Sequence, residues 1–278
     1  MVIKLRRLND NLLLGLLWFS AFLTVAILVL IVGFIFYKGV GLINFHFIFS
    51  DYSPAGDGGI WPMIVTTIYS ILISLLIATP IGILAAVYLQ EYAKQGRLVK
   101  IIRFATESLT GIPSIIYGLF GAVFFVTTLK LGMSIIAASL TLTIIVLPVI
   151  IRTTEESLKT VPLSYREGSL ALGTTKLQTL YKVILPSAIP GILSGIILSI
   201  GRIIGESAAI FLTAGTVAAM PEGIFSSART LTVHSFLVTQ ESGDIELAAA
   251  VGVVLIVIIL FLNLSATFIS KKFNKADY

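Results

Sequence analysis

The sequence predicts an all-α polytopic membrane protein with six transmembrane helices, and three observations carry that prediction. Of 278 residues, 57% are hydrophobic and only 12% are charged, whereas a water-soluble domain carries about a quarter charged residues. Six apolar stretches reach the roughly 20 residues needed to cross a bilayer core: 12–37, 62–89, 104–128, 131–151, 188–214 and 245–270. The basic residues alternate with them. Lys4, Arg6 and Arg7 precede the first stretch, and Lys94, Arg97, Lys100 and Arg103 fill the second connection. Arg152, Lys159, Arg166, Lys176 and Lys182 fill the fourth, and Lys271, Lys272 and Lys275 follow the last. The opposite face has only Lys38, Lys130 and Arg229. Loops retained in the cytoplasm are rich in Lys and Arg, so both termini are expected there. The same alternation argues against nucleic-acid binding as the reason for the +5 net charge.

The first span is too long for a signal-peptide core and lacks a small-residue cleavage site, so it reads as a permanent anchor. The outside loop at 38–61 holds Asp51, Pro54, Gly56, Asp57, Gly58 and Gly59, a turn-forming composition. Within it, Asn44–Phe49 alternates aromatic and polar residues, which suits a membrane-interface belt or a short extended segment. Pro80 and Gly82 interrupt the second span, Gly111, Pro113 and Gly118 the third, and Pro148 the fourth. Freed backbone groups are tolerated where they face protein or a water-filled cavity, and transporters build midplane sites from such broken helices. Ordinary kinking accounts for Pro80 and Pro148, while the Gly111–Gly118 cluster, with Ser114 inside it, is a candidate pathway lining. The second outside loop, 215–243, is apolar enough to dip back into the protein. The resulting organisation is an N-terminal helix and external loop at 1–61, a transmembrane domain at 62–270, and a tail at 271–278.

Residues 164–185 form a polar interruption on the basic side. Pro162 stops the preceding helix, and Ser164 with Glu167 matches a capping box, so a short helix is expected from about Tyr165. Gly173 can end it in the left-handed conformation. Thr174 or Thr175 can cap a second short helix running to Leu185. Glu167 offers a charge, and Ala171 and Leu172 a small apolar knob, to a docking partner. A helix pair resting on the membrane surface without a partner fits the same pattern.

Inside the fifth span, Ile200–Ala208 reads IGRIIGESA. Arg202 and Glu206, one helical turn apart, are expected on one face. Charge at the bilayer centre costs about 2.5–3.5 kcal/mol on insertion scales, so the pair needs a reason. Mutual neutralisation with close packing at Gly201 and Gly205 is one. An aqueous pathway is the other, in which Arg202 attracts an anion with its planar donor fork and Glu206 holds that fork in place.

Several chemistries are excluded. With no cysteine, disulfides and thiolate sites are impossible. Gly168–Thr175 imitates a phosphate-binding loop but lacks the lysine that reaches the nucleotide. His46 and His234 have no companion ligands at metal spacing, and read as structural or surface residues. No acid–base or metal constellation suggests an intramembrane enzyme, and an ion-driven carrier would need more intramembrane carboxylates than Glu206.

The spacing E-x5-G-x9-V-x-L-P, from Glu167 through Gly173 to Pro186, resembles the cytoplasmic loop of type I ABC importer permeases. Gly168 and Ser169 stand where that family has alanines. The resemblance implies that Glu167, Ala171, Leu172 and Gly173 couple the chain to a separate ATPase, which would hold ATP and magnesium, so that this chain binds no cofactor and performs no catalysis. The blocks at 58–69, 111–121, 201–215 and 228–236 resemble the phosphate-transport branch of the family. This implies a heterodimer with a sister permease, two ATPase copies and an external phosphate-binding protein. It also implies a translocation role for Arg202 and Glu206, with Ser207 where threonine is common and Ser114 nearby. One arginine suits molybdate or sulfate equally well on physical grounds.

Overall fold

A computed structural model describes residues 2–53, 58–94 and 96–274, with side chains between 13 and 268. The turn expected from Pro54, Gly56 and Asp57 lies outside the described residues, as do Lys275 and the side chains of Lys4, Arg6, Arg7, Lys271 and Lys272. Every regular element among the described residues is helical. Twelve α-helices follow in order: α1 Val2–Gly39, α2 Phe45–Phe49, α3 Trp61–Val87, α4 Arg97–Thr110, α5 Ser114–Gly121, α6 Ile135–Thr160, α7 Leu163–Ala171, α8 Lys176–Thr179, α9 Leu185–Gly205, α10 Ala208–Ala214, α11 Leu231–Glu241 and α12 Ile245–Asn274. Single π-helical turns extend α3, α5 and α8.

Five continuous helical segments are long and apolar enough to cross a membrane, and a sixth qualifies if α4 and α5 count as one span bent by 101°. The third span, expected at 104–128 with an interruption at Gly111, Pro113 and Gly118, begins earlier, at Arg97, and breaks between Thr110 and Ser114, with Gly118 inside α5. Gly111 and Pro113 remove the continuity of the backbone ladder, and the Tyr117 hydroxyl donates to the Leu109 carbonyl across the bend at 2.7 Å. The fourth span extends to Thr160 rather than ending near 151, because Pro162 is the first residue to stop it. α3 and α6 run uninterrupted through Pro80 and Pro148.

The core is α6 held between α3 and α9. Leu142, Ile145, Val146 and Ile150 are fully buried against Ile71, Ala78, Ile203 and Ile204. Small residues set the approach: a Cβ on Gly195 would lie 2.0 Å from Thr153 Oγ1, and one on Gly82 2.6 Å from Ile150 Cγ2. Helices in lipid associate through such close packing. Two core hydroxyls bond across the helix pair: Ser74 donates to Ser139 O and Thr143 to Ser74 O, stitching α3 to α6.

α1 is peripheral. It meets α12 along its last turns, where Gly39 sits against Ala249 and Lys38 pairs with Glu246 at 3.1 Å, and its large apolar side chains from Leu13 to Phe34 are exposed. Asn44–Phe49, expected as extended or interfacial, forms the short helix α2, because the Asn44 side chain accepts from the Phe47 amide. The second outside loop does turn back inward: Ile135 and Ile136 at the start of α6 donate to Ser226 O and Ile224 O, and α11 buries Leu231, Val233, His234 and Leu237.

Candidate functional site

At the basic end, α7 ends at Leu172, and Gly173 takes φ +81°, the left-handed turn the sequence suggests. Thr175 then caps α8 in a full capping box with Gln178. The box expected from Ser164 and Glu167 is absent: α7 begins at Leu163 behind Pro162, with no side-chain cap. Pro162 has ψ 140° and already directs the chain into the first turn, so Ser164 falls inside the helix. The second short helix is not separate either. α8 continues through the π-helical turn Leu180–Ile184 into α9 as one span, and Pro186 directly follows that turn.

The elbow is rigid yet exposed. Ser169, Thr174 and Thr179 share a hydroxyl triangle with edges of 2.8, 3.0 and 2.9 Å. Arg166 reaches Glu91 on the last turn of the α3 span at 2.7 Å and donates to Leu158 O at 3.0 Å. Lys176 donates to the Glu91 carbonyl and lies 4.7 Å over the Tyr92 ring. None of α7 is buried. Glu167, Ala171 and Gly173 face outward, and Leu172 is 87% exposed. Beside it, Arg103 meets Glu155 at 3.3 Å, and Arg152 bridges Glu107 and Glu156 at 3.5 and 3.4 Å. These groups line a cavity of about 180 Å³ between α4 and α6.

Within the membrane region, α9 stops at Gly205. Glu206 adopts φ −76°, ψ 125°, and the helix restarts as α10 after Ser207. The shared face expected for Arg202 and Glu206 requires unbroken helix, so the break carries the Glu206 side chain off it, and no ion pair joins the two. α5 and α10 run in the same direction, with Gly118 against Ala209 and Gly121 against Thr213. Their starts, at Ser114 and at Glu206–Ser207, therefore lie at one level. Arg202, Glu206, Ser207 and Ser114 are all half-buried.

One buried charge escaped sequence reasoning. Arg229, expected only as a basic residue of the outer face, is 7% exposed, and Tyr52 covers its guanidinium at 4.7 Å. Tyr52 also meets the His234 ring edge-on at 5.6 Å. His234 is 1% exposed, and burial, aided by the Arg229 charge, pushes its pKa down to about 3. No local pattern in ARTLTVHSF marks this burial, because the covering ring comes from Tyr52, far upstream. His46, by contrast, is exposed on α2. Among the described residues no cluster of three or more His, Asp or Glu could hold a metal.

A multi-pass helical bundle with a rigid, outward-facing elbow and broken helices at mid-span defines a membrane permease. The chain belongs to the family described as the binding-protein-dependent transport system inner membrane component, which it matches over residues 78–275; it is a type I ABC importer permease. It is 36% identical to the probable ABC transporter permease protein YqgI of Bacillus subtilis strain 168, over 97% of this chain and 98% of that one. It is 32% identical to the phosphate transport system permease protein PstA of Pasteurella multocida strain Pm70, over 94% of each. A crystal structure of a bacterial ABC transporter involved in import of the acidic polysaccharide alginate contains a chain with the same fold, with a TM-score of 0.66 at 16% identity, covering 96% of this chain and 99% of that one.

Proposed function

We propose that this chain is the membrane permease subunit of an ATP-driven importer for inorganic phosphate. In this reading it works in a heterodimer with a PstC-like permease, over two copies of a PstB-like ATPase and beneath a PstS-like phosphate-binding protein. The observation that carries the reading is Arg202, a half-buried arginine without a carboxylate partner among the described residues, at the point where α9 breaks inside the membrane. A polar group at such depth is functional by default, and a single guanidinium offers an oxyanion contact weak enough to release it. PstA-type relatives support phosphate as that oxyanion.

The chain supplies no ATP-binding motif and performs no covalent chemistry; ATP and magnesium belong to the partner ATPase. Closure of the ATPase pair moves the elbow through the exposed Glu167, Ala171, Leu172 and Gly173. Arg166–Glu91 transmits that motion to α3, and the continuous α8–α9 rod carries it to the Arg202 level. The pathway then opens outward, phosphate passes Ser114, Arg202, Glu206 and Ser207, and hydrolysis restores the inward state. With six crossings both termini lie on one side, and the basic residues make that side cytoplasmic.

The test is uptake of radiolabelled phosphate by cells carrying the complete importer with Arg202→Gln or Glu167→Lys. The first should leave an assembled but inactive complex, and the second should lose the ATPase. Normal uptake in both would remove the reading, and uptake blocked by molybdate or sulfate would reassign the substrate.

A further inference from the structure

We propose that Arg229, Tyr52 and His234 form an outer oxyanion subsite, which takes the imported phosphate before it reaches Arg202. The inference rests on the importer reading above.

The position is outward. The amide of Leu231, two residues after Arg229, donates to Thr67 Oγ1 on α3 at 3.0 Å. About 36 Å of helix, at roughly 1.5 Å per residue, separates Thr67 from Glu91 at the basic end. The position is also linked to the pathway, because Thr232 donates to the Ile204 carbonyl just before the break that carries Glu206. Arg229 itself is anchored through its amide to Val217 O at 3.0 Å.

The chemistry is that of a buried guanidinium whose Nε has no acceptor among the described residues. A guanidinium taken out of water needs a carboxylate or acceptors around it. Arg166, a less buried arginine, has one in Glu91. Among the described residues none lies at ion-pair distance from Arg229. Its Nε has no hydrogen-bond acceptor, and His234 Nδ1 beside it is also unpartnered. One face of the guanidinium is held by the Tyr52 ring, which contributes attraction but accepts no hydrogen bond along the donor edge. The planar fork is left for a tetrahedral oxyanion. His234, neutral because of its burial, adds a polar contact without a second positive charge. Binding stays weak enough for the anion to move on. The site is more than nine-tenths enclosed at Arg229, which favours a small ion over a side chain from a docked protein.

The complete importer in proteoliposomes, supplied with its binding protein, tests this with radiolabelled phosphate, sulfate and molybdate. Arg229→Gln should lower maximal phosphate uptake by about tenfold or more, a loss in turnover. The half-saturating phosphate concentration and binding-protein-stimulated ATP hydrolysis should stay near wild type. Arg229→Lys, which keeps the charge without the fork, should fall between. Unchanged uptake in Arg229→Gln overturns the proposal. Loss of stimulation by the binding protein overturns it in favour of a protein carboxylate as the occupant. Failure of both variants to assemble overturns it in favour of a structural guanidinium. If the wild-type importer carries only sulfate or molybdate, the phosphate reading fails, yet loss of that ion's flux in Arg229→Gln keeps the subsite.

Discussion

Arg166 and Glu91, 75 positions apart in sequence, meet at 2.7 Å and tie the elbow to the end of the α3 span. Both are substantially buried, with side-chain exposures of 21% and 6%. Breaking a buried pair by removing one partner leaves the other charge stranded, at a cost of about 3 kcal/mol. Arg166→Ala should therefore lower the thermal midpoint of the purified complex, and Arg166→Ala with Glu91→Ala should recover part of the loss. An unchanged midpoint in the single variant would show that the pair holds nothing.

Leu172 and Glu167 lack such support. Because both are exposed, Leu172→Asp and Glu167→Lys should leave the permease fold intact, with melting in detergent close to wild type. Copurification of the ATPase should drop sharply in each. A fall in stability instead would place these residues inside the fold.

A side chain at Gly173 would meet open space, but the backbone there has a φ of +81°. The left-handed conformation costs most residues about 1–2 kcal/mol, and asparagine less. Gly173→Asn should retain ATPase stimulation, and Gly173→Val should lose it. Equal behaviour of the two would mean that the turn can be made another way.

Gly195 fails for a different reason. A methyl there would press on Thr153 Oγ1 at 2.0 Å, and overpacking costs about 1–3 kcal/mol. Gly195→Ala should destabilise the bundle, and Thr153→Ala should relieve much of that when combined with it. Additive losses in a double-mutant melt would count against the contact.

His234 predicts a pH effect. Its folded pKa is lowered from 6.5 to about 3, so the unfolded chain binds a proton more readily than the folded one. Stability contributed by the neutral ring is complete above about 6.5, and falls as pH drops from there towards 3. Melting between pH 7.5 and 4.5 should show this decline, and His234→Gln should flatten it. The same slope in the variant would assign the decline to other groups.

The apolar spans and the left-handed Gly173 were legible because apolar run length and glycine placement act locally. The capping box read at Ser164 and Glu167 does not form, because Pro162 had already set the first turn of α7, whereas Thr175, one of two possible caps in the sequence, forms a full box with Gln178. The break at Glu206 was hidden: IGRIIGES reads as continuous helix, and only packing of α10 beside α5 rewards the interruption. The 101° bend depends likewise on Tyr117 bridging to Leu109. Arg229 looked like a surface charge, since nothing adjacent in sequence reveals that Tyr52, from a loop far upstream, closes over it.

The seating of α1 has a consequence for the bilayer. Among its described side chains, the grip on α12 lies in the last turns, at Ile35 and Gly39, so the exposed stretch from Leu13 to Phe34 answers to the surrounding acyl chains and not to the bundle. Changes in membrane thickness should be absorbed by tilt of this helix, leaving the α3–α6–α9 core undisturbed.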